Sequence, residues 1–364
     1  MAINHGFWRG KRVFLTGHTG FKGSWLALWL SHNGAHVQGY ALAPPTVPSL
    51  FQMAAIADLM NSTIGDIRDH DRLVHELTAA QPDVVLHLAA QSVVLRSYED
   101  PIDTYTTNVI GTANVLDGVR RLRNRCAVVN VTTDKVYENK RWVWGYRETD
   151  QLGGRDPYSS SKACAELVSH AFQASYFDTA SADGRVVGLA NARAGNVIGG
   201  GDWTPHQLVP EAIETLSAGR PVILRHPEAI RPWQHVLDCL SGYLMLAEAL
   251  SLDPGRYAGD WNFGPPDADM QPVANVVETL ARHWNVARAW SRDPESHPHE
   301  EMELRLNSQK SARALHWTPR LSLEEGLAWT AQWYRRSLDG ADARALCVEQ
   351  IERYLGMRSW RRNL

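Results

Sequence analysis

The stretch RVFLTGHTGFKGSWLALWL, residues 12–30, joins a short apolar run to a longer one through a turn rich in glycine. Residues 12–17 form a nearly unbroken apolar run, as expected for a strand in a parallel sheet that is covered on both faces. Residues 23–34 place apolar side chains at helical spacing. The order strand, turn, helix therefore predicts the first unit of a parallel α/β sheet.

Glycines occupy this turn in the spacing G-x-x-G-x-x-G. Glycine permits a tight turn and lets backbone N–H groups approach a pyrophosphate at the helix N-terminus. We therefore predict a dinucleotide site, to which the turn contributes Gly17, His18, Gly20, Phe21, Lys22 and Gly23. His18 and Lys22 either meet a phosphate or are solvated loop residues.

The end of the second predicted strand, residues 36–42, carries information on the cofactor type. An acid there would bind a ribose 2′-hydroxyl and favour NAD. Tyr40, Ala41 and Leu42 stand at that position instead, so the acid is missing. Asp66 follows a third strand and is a candidate for holding an adenine amino group.

Strand and helix patterns alternate through the first half of the chain. Strands are predicted at 12–17, 36–42, 84–89 and 126–133, and helices at 23–34, 69–80 and 108–123. This alternation predicts an α/β fold with a Rossmann-type doubly wound parallel sheet.

After about residue 190 the pattern becomes irregular and richer in Gly, Pro and Trp. We predict a loop at 196–210, a helix at 211–219, short strands within 220–236, an amphipathic helix at 235–250 and a helix at 322–338. We expect residues 1–190 to form the dinucleotide-binding Rossmann domain, with later segments near 230–260 returning to it. Residues 191–364 are expected to be mainly a smaller α/β C-terminal lobe that binds the substrate.

Composition excludes several classes of protein. A net charge of −3 gives no basic footprint for nucleic acid, and no apolar run is long enough to span a bilayer. The N-terminus has no secretory signal pattern. The four cysteines are scattered, which fits a reduced cytoplasm and neither zinc nor a disulfide framework. The run HPHEEME at 297–303 has irregular spacing and is interpreted as a solvated loop, so we predict no metal.

Two polar groups suggest catalysis. Tyr158 and Lys162 are four residues apart on a predicted helix and so share one face. A nearby ammonium would lower the Tyr158 pKa and make the phenol a usable base. The pattern Y-x-x-x-K is common by chance, but here it follows both a glycine turn and a strand that ends in hydroxyls.

The strand predicted at 126–133 runs into Thr133, Asp134 and Lys135. Taken singly, these are ordinary residues for the cap of a strand end, where Thr and Asp are favoured and Lys is usually solvated. Their place beside Tyr158 and Lys162 in the predicted order favours a catalytic group.

The motifs follow the order and spacing of the extended short-chain dehydrogenase/reductases: TGHTGFKG (16–23), LAAQ (88–91), TNVIGT (107–112), TTDK (132–135) and YSSSK (158–162). Within that family the chain resembles the nucleotide-sugar 4,6-dehydratases, and most closely those that act on CDP-glucose. The motifs of this closer resemblance are GFKGSWL (20–26), RSYEDP (96–101), TDKVYENKRW (133–142) and NARAGNVIGGGDW (191–203). The resemblance extends to LNSQKSARALHWTPRLSLEEGL at 306–327.

The resemblance implies NAD as cofactor and CDP-glucose as substrate. It implies that Tyr158 takes the proton of the C4 hydroxyl, and that Thr133, Asp134 and Lys135 provide a hydrogen-bond donor to O4, an acid for O6 and a base for C5. Dehydratases acting on dTDP-glucose carry Glu where Lys135 stands. The further cofactor contacts expected are Asp66, Ile67, Leu88, Ala89, Ala90, Asn108, Tyr158 and Lys162. The substrate contacts expected are Gln91, Arg96, Arg193, Asn196 and Arg231, the arginines being alternatively surface ion pairs.

The resemblance also implies a product that feeds deoxysugars of surface polysaccharides such as the lipopolysaccharide O-antigen. Family members pair through two helices, here around 100–124 and 158–177, so a homodimer or homotetramer is expected in the cytoplasm. Two alternatives stay open: a 4-epimerase or 4,6-dehydratase acting on another nucleotide sugar, and a non-catalytic nucleotide-sugar sensor.

Overall fold

The computed structural model describes residues 3–177, 186–295 and 302–357. Its strands are β1 Arg12–Thr16, β2 His36–Ala41, β3 Asn61–Ile64, β4 Val84–His87, β5 Cys126–Val131, β6 Val187–Ala194, β7 Asn196–Ile198, β8 Val222–Leu224, β9 Ile230–His235, β10 Gly259–Phe263, β11 Met270–Pro272 and β12 Trp290–Arg292. Its α-helices are α1 His5–Trp8, α2 Phe21–His32, α3 Leu50–Met53, α4 His70–Ala80, α5 Val94–Glu99, α6 Pro101–Tyr105, α7 Gly111–Arg120, α8 Pro157–Phe172, α9 Leu208–Ser217, α10 Val236–Leu252, α11 Pro254–Tyr257, α12 Val273–Trp284, α13 Leu323–Leu338 and α14 Ala343–Gly356.

Seven strands form the central sheet in the order β10-β6-β5-β4-β1-β2-β3, and every neighbouring pair is parallel. The chain moves outward from β1 to β3 and then returns to place β4 on the other side of β1. In such a sheet, ligands bind beyond the carboxyl ends of the strands at the point where the order reverses. The predicted doubly wound parallel sheet is confirmed.

The four strands predicted in the first half are present, each within two residues of its predicted end. Three further strands complete the sheet: β3, which is the third strand that Asp66 follows, and β6 and β10, of which β10 comes from far along the chain. A three-stranded sheet, β11-β9-β7, and a two-stranded sheet, β12-β8, lie outside the central sheet. The loop predicted at 196–210 is therefore wrong at both ends, because it contains β7 and the first turn of α9.

Up to its last two residues, the helix α10 is buried rather than amphipathic, which corrects the prediction for 235–250. Every residue from Val236 to Leu250 is buried. One face of α10 packs on β5 and β6. The other side meets the C-terminal part of the chain, where Trp317 and Tyr354 hydrogen-bond to residues of α10. A helix covered from both sides loses the polar face that a surface helix needs.

The helix predicted at 322–338 begins one residue later, at Leu323, because Ser322 and Glu325 form a reciprocal capping box. Six tryptophans are fully buried, in agreement with their interpretation as core residues: Trp8, Trp25, Trp29, Trp261, Trp317 and Trp333. Within the described ranges, no helix combines the length and apolar character needed to cross a bilayer.

Candidate active site

The glycine turn between β1 and α2 has the geometry of an anion site. Gly17 has φ +77°, and a Cβ there would lie 2.7 Å from the backbone nitrogen of Ala89. A Cβ on Gly23 would lie 2.0 Å from the Gly17 carbonyl oxygen, so only glycine lets α2 pack this close to the turn. The N-cap Gly20 provides no side-chain cap, which leaves the first N–H groups of α2 available to a phosphate. These residues fit the pyrophosphate of a dinucleotide.

His18 is buried, so the alternative that it is a solvated loop residue is wrong, and its contact with a phosphate stays a prediction. Its Nε2 lies 2.7 Å from Ser62 Oγ, and its ring meets Phe51 edge to face. Burial lowers the pKa of His18 to about 4. Lys22 differs from His18, because it is half-buried and its charge contributes to lowering the pKa of Lys162. Lys22 therefore lies close enough to Lys162 for the two charges to interact.

The position of the missing acid is taken by a buried tyrosine. Tyr40 donates a hydrogen bond of 3.1 Å from its hydroxyl to the Asp66 carbonyl oxygen. The Asp66 carboxylate pairs with Arg68 at 2.6 Å, and this hydrogen bonding lowers the pKa of Asp66. Ile67 is buried beneath Gly111. The predicted adenine contact Asp66 therefore offers oxygens that are already shared with a guanidinium.

The segment after β4 lies beside the glycine turn. The backbone nitrogens of Leu88 and Ala89 each donate to Thr16 Oγ1 at 3.1 Å. Asn108 accepts from the Gln91 backbone nitrogen at 2.9 Å and donates to Ser161 Oγ at 2.8 Å. Asn108 therefore ties the 88–91 segment, with Ala90, to the helix that carries Tyr158 and Lys162.

Gln91 was expected to contact the substrate, but its side chain is used inside its own turn. Its Nε2 donates to the Val93 carbonyl oxygen at 3.1 Å and to Thr104 Oγ1 at 2.9 Å, and its Oε1 accepts from the Val93 nitrogen at 2.7 Å. Both ends of the amide are therefore engaged by protein groups, and the contact of Gln91 with the substrate stays a prediction.

We call Thr132–Lys135, which directly follows β5, the catalytic turn. Thr133 Oγ1 donates to Asp134 Oδ1 at 3.1 Å and caps the Lys135 nitrogen at 3.4 Å. A side-chain hydrogen bond also joins Thr133 to Tyr158 of α8. The structure thus brings together the residues that sequence reasoning assigned to acid–base chemistry.

Asp134 carries the carboxyl group of the catalytic turn, and its pKa is strongly shifted. It is buried, and its Oδ2 has no hydrogen-bond partner among the described residues. Burial raises the pKa of Asp134 to about 6, against the opposing positive charges of Lys135 and Arg231. A carboxyl group in this state is protonated for part of the time near neutral pH, which suits a general acid.

Tyr158 and Lys162 lie on α8, which Asp156 caps by accepting from the Ser159 nitrogen at 2.8 Å. Lys162 Nζ donates to the Val131 carbonyl oxygen at 2.8 Å, and burial lowers its pKa to about 8. Burial raises the pKa of Tyr158 above its ordinary value, while the Thr133 hydrogen bond opposes this rise. The expected lowering of the Tyr158 pKa by Lys162 is therefore absent, because the Lys162 ammonium is directed to a backbone carbonyl.

Arg193 was expected near a diphosphate, and this expectation is corrected by its contacts. Its Nε donates to Glu166 at 2.9 Å, and its Nη2 pairs with both Glu166 and Asp260. Its Nη1 donates to Tyr137 Oη at 2.8 Å and to the Glu148 carbonyl oxygen at 3.1 Å. All three guanidinium nitrogens thus donate hydrogen bonds to protein acceptors, and Nη2 also forms an ion pair with Asp260, so the guanidinium is already occupied.

The remaining substrate candidates fall into two groups. Arg231, on β9, is buried, and its charge lowers the Asp134 pKa, so it faces the catalytic turn. Asn196 is half-buried on β7, which pairs with β9 in the same small sheet. Arg96 has a side chain that is 62% exposed and pairs with Asp103 at 3.3 Å. Arg96 is therefore a surface ion pair, the alternative that sequence reasoning had left open.

We call Arg193, Glu166, Asp260 and Tyr137 the arginine cluster. Sequence reasoning missed its other three members as partners of Arg193. One signal was available: Glu166 follows Lys162 by four residues, so it lies on the same helix face one turn on. Asp260 gives no such signal, because only the pairing of β10 with β6 brings it near Arg193.

Glu166 and Asp260 form, with His170, the single three-residue group in the described part of the chain with metal-ligand geometry. The Arg193 guanidinium already pairs with both carboxylates of this group. His170 bonds to Asp260 at 2.9 Å. The predicted solvated loop at 297–303 lies, apart from its last two residues, outside the described residues.

Comparison with known proteins shows that this chain is similar to nucleotide-sugar enzymes. Residues 14–330 match a family model described as GDP-mannose 4,6 dehydratase. The chain is 48% identical over 353 residues to a CDP-glucose 4,6-dehydratase of Salmonella typhimurium, covering 97% of this chain and 98% of that protein. It is 31% identical over 263 residues to a dTDP-glucose 4,6-dehydratase of Streptomyces griseus, covering 71% and 73%.

Two solved structures share the fold. A UDP-glucose 4-epimerase of Thermotoga maritima, solved with UDP-glucose, superposes with a TM-score of 0.77 at 22% identity, over 90% of this chain and 99% of that one. A dTDP-glucose 4,6-dehydratase of Bacillus anthracis, solved with NAD, gives a TM-score of 0.74 at 24% identity, over 90% and 97%. At these identities the likeness concerns the fold.

Proposed function

This chain belongs to the nucleotide-sugar 4,6-dehydratase family, and on that premise we propose that it converts CDP-glucose to CDP-4-keto-6-deoxyglucose and water. The observation that carries the proposal is the meeting of the catalytic turn with Tyr158, where one carboxyl oxygen of Asp134 has no partner among the residues that the structure describes. The nucleotide is proposed from the 48% identity to the Salmonella enzyme over nearly the whole chain.

When bound, NAD supplies the acceptor for the C4 hydride and returns that hydride to C6. The residues of this chain move the protons. Tyr158 takes the proton of the C4 hydroxyl, while Thr133, which bonds to Tyr158, holds O4. Gly17, Gly23 and the open N-terminus of α2 hold the pyrophosphate, and Lys162 has two N–H donors left for the cofactor.

The elimination follows from the 4-ketone, which makes the C5 proton acidic. Lys135 takes that proton, and Asp134 protonates the C6 hydroxyl, which leaves as water. The C5 position is reprotonated when the hydride returns to C6, so one water is lost and no net redox change occurs. Arg231 and Asn196 are the proposed diphosphate contacts, because a guanidinium fork suits phosphate oxygens.

NAD is proposed to bind loosely. The second strand lacks the acid that would bind the ribose, and the buried ring of His18 adds no charge to the phosphate site. Purified protein assayed with and without added NAD tests this, and we expect activity to rise on addition. Full activity without added NAD, or equal activity with NADP, would contradict it.

We propose a homodimer or homotetramer that pairs through α6, α7 and α8 with their adjoining turns. These segments expose large apolar side chains that a monomer would leave in water: Ile102, Ile110, Leu167 and Tyr176. Sedimentation of Leu167→Asp beside the native chain tests this, since the variant should shift toward monomer.

We also propose a cytoplasmic enzyme whose four free thiols stay reduced, with a product that serves deoxysugars of surface polysaccharides such as O-antigen. Cell fractionation and sugar analysis of a deletion strain test these points.

The experiment that tests the proposed function is a substrate panel of CDP-, dTDP-, GDP- and UDP-glucose with added NAD. A 4-keto product, seen by its ultraviolet absorbance in alkali, formed fastest from CDP-glucose supports the proposal. An epimerised product without ketone would identify a 4-epimerase. Binding without any product would identify a sensor.

A further inference from the structure

The arginine cluster is the largest buried charged group near the site that the proposed chemistry does not use. Arg193 and Glu166 are both essentially inaccessible, at 1% and 0% side-chain exposure. The cluster joins the sheet to the C-terminal part of the chain, because Tyr137 Oη donates to Asn262 Oδ1 at 2.7 Å. The Asn262 amide nitrogen in turn donates to the carbonyl oxygens of Tyr146 and Asn307, at 2.9 and 3.0 Å.

One contact connects this cluster to the reacting groups. Thr132, the first residue of the catalytic turn, donates from Oγ1 to Glu166 Oε1 at 2.5 Å. One residue earlier, the Val131 carbonyl oxygen accepts from Lys162 Nζ at 2.8 Å. Two consecutive residues at the end of β5 are therefore held by two side chains one turn apart on α8.

These two links differ in how strongly they are fixed. Lys162 carries its donors on a flexible side chain, and it is the residue proposed to contact the cofactor. Glu166 is fixed from behind, because the planar guanidinium of Arg193 binds both of its oxygens. The Thr132–Glu166 bond is thus the link to α8 that does not change when Lys162 turns to a ligand.

We propose that Glu166, held by Arg193, is a positioning residue for the catalytic turn. Through Thr132 it fixes the start of the turn relative to α8, so that Thr133 and Asp134 stay in line with Tyr158. Neither Glu166 nor Thr132 touches the reacting atoms in this proposal. The inference rests on the proposed dehydratase reaction, because it assigns these residues to the alignment of that chemistry.

The test removes only the hydroxyl that forms the link. Thr132→Val keeps the shape of the side chain, and Glu166 Oε1 keeps its bond to Arg193 Nε at 2.9 Å. The expected result is a fall in kcat of about tenfold, since a small misplacement of catalytic groups costs one to two orders of magnitude. The KM for CDP-glucose and the affinity for NAD should change less than twofold. Thr132→Ser restores the hydroxyl and should restore kcat to within about twofold.

Thr330→Val is the matched control. Thr330 is as buried as Thr132, and its hydroxyl donates to the Gly326 carbonyl oxygen at 2.7 Å, inside a helix remote from the catalytic turn. We expect Thr330→Val to lower the melting temperature about as much as Thr132→Val while leaving kcat within twofold of the native value.

Three outcomes would overturn the inference. These are native kcat in Thr132→Val, a loss in Thr132→Ser as large as in Thr132→Val, or an equal loss of kcat in Thr330→Val. If Thr132→Val does not fold, Thr132→Ser against Thr132→Ala makes the same comparison. The kcat of each variant is compared with that of the native chain on the best substrate in the panel. If the native chain does not act on CDP-glucose, the proposed function fails, and this result is separate from the comparison of the variants.

Discussion

The catalytic turn and the arginine cluster lie on neighbouring strands and use their buried charges in opposite ways. Val131 of β5 pairs in register with Ala192 of β6. The next residues along the chain are Thr132, which begins the catalytic turn, and Arg193, which belongs to the arginine cluster. In the arginine cluster, every guanidinium nitrogen donates to a protein acceptor. In the catalytic turn, Asp134 is equally buried, yet one of its oxygens has no partner among the described residues.

The difference separates charges that specify structure from charges available for chemistry. A buried ion pair with all its hydrogen bonds made fixes one arrangement of its elements, whereas a buried carboxyl with a free oxygen destabilises the fold. Native structures keep few such groups, and they concentrate at functional sites. The free oxygen of Asp134 is therefore better evidence of function than the charge of Arg193.

The largest effect is expected from breaking the arginine cluster. Arg193→Met leaves Glu166 buried without its cation and removes one of the two partners of the half-buried Asp260, so the free energy of unfolding should fall by about 3–5 kcal/mol. Urea denaturation measures this loss. Arg336→Met is the control, because Arg336 pairs with Glu349 at 2.7 Å on the surface, where such a pair contributes about 0–1 kcal/mol. Equal losses in the two variants would contradict the comparison.

The second effect contrasts two buried tyrosines, one on each side of the comparison. Tyr158→Phe removes the proposed base and should lower turnover about a hundredfold or more, with the melting temperature nearly unchanged. Tyr137→Phe removes an acceptor of Arg193 and should cost about 1–3 kcal/mol of stability, with turnover reduced less than tenfold. Kinetics and thermal unfolding of both variants check this. Near-native turnover in folded Tyr158→Phe would remove that residue from its proposed role.

The same contrast explains how far the sequence could predict this molecule. The glycine turn, the catalytic turn and the pair Tyr158 and Lys162 are local patterns, in which a few consecutive residues carry the whole signal. Arg193 was misassigned because its partners Glu166 and Asp260 are 27 and 67 positions away in the chain (193 − 166 and 260 − 193). Only the folded sheet brings these residues together, and a single sequence does not show whether an arginine faces a phosphate or a buried carboxylate.

Burial was the second quantity that the sequence did not supply. The expected effect of Lys162 on the Tyr158 pKa is absent because Lys162 Nζ donates to a backbone carbonyl, and burial of the phenol raises that pKa instead. The alternative of a solvated loop residue at His18 was wrong for the same reason, since nothing local indicates that its ring is enclosed by Phe51 and Ser62.

A third, smaller effect tests whether Lys135 is the base of the catalytic turn that takes the C5 proton. Lys135→Ala should still fold, bind NAD and CDP-glucose, and oxidise C4, so reduced cofactor should build up with its near-ultraviolet absorbance. Water loss should slow by about tenfold to a hundredfold, at or below the lower end of the range for a lost base, because the 4-ketone keeps the C5 proton acidic. Solvent deuterium should enter C5 more slowly. Native rates of product formation and of deuterium entry would show that another group, with Tyr158 the first candidate, is the base.

The smallest effect concerns the protonation of Asp134, and it is a dependence on pH. Burial raises the pKa of Asp134 from 3.8 to about 6, so the protonated form persists up to that pH and is lost above it. If the protonated form is the acid for O6, its contribution falls about tenfold for each pH unit above 6. Asp134→Asn cannot titrate, while every other titrating group is shared with the native chain. The ratio of native to Asp134→Asn turnover should therefore be constant below pH 6 and fall as the pH rises through 6 to 8. A ratio that stays flat over this range, or rises, would mean that Asp134 acts as a carboxylate and that the unpaired oxygen serves another purpose than proton donation.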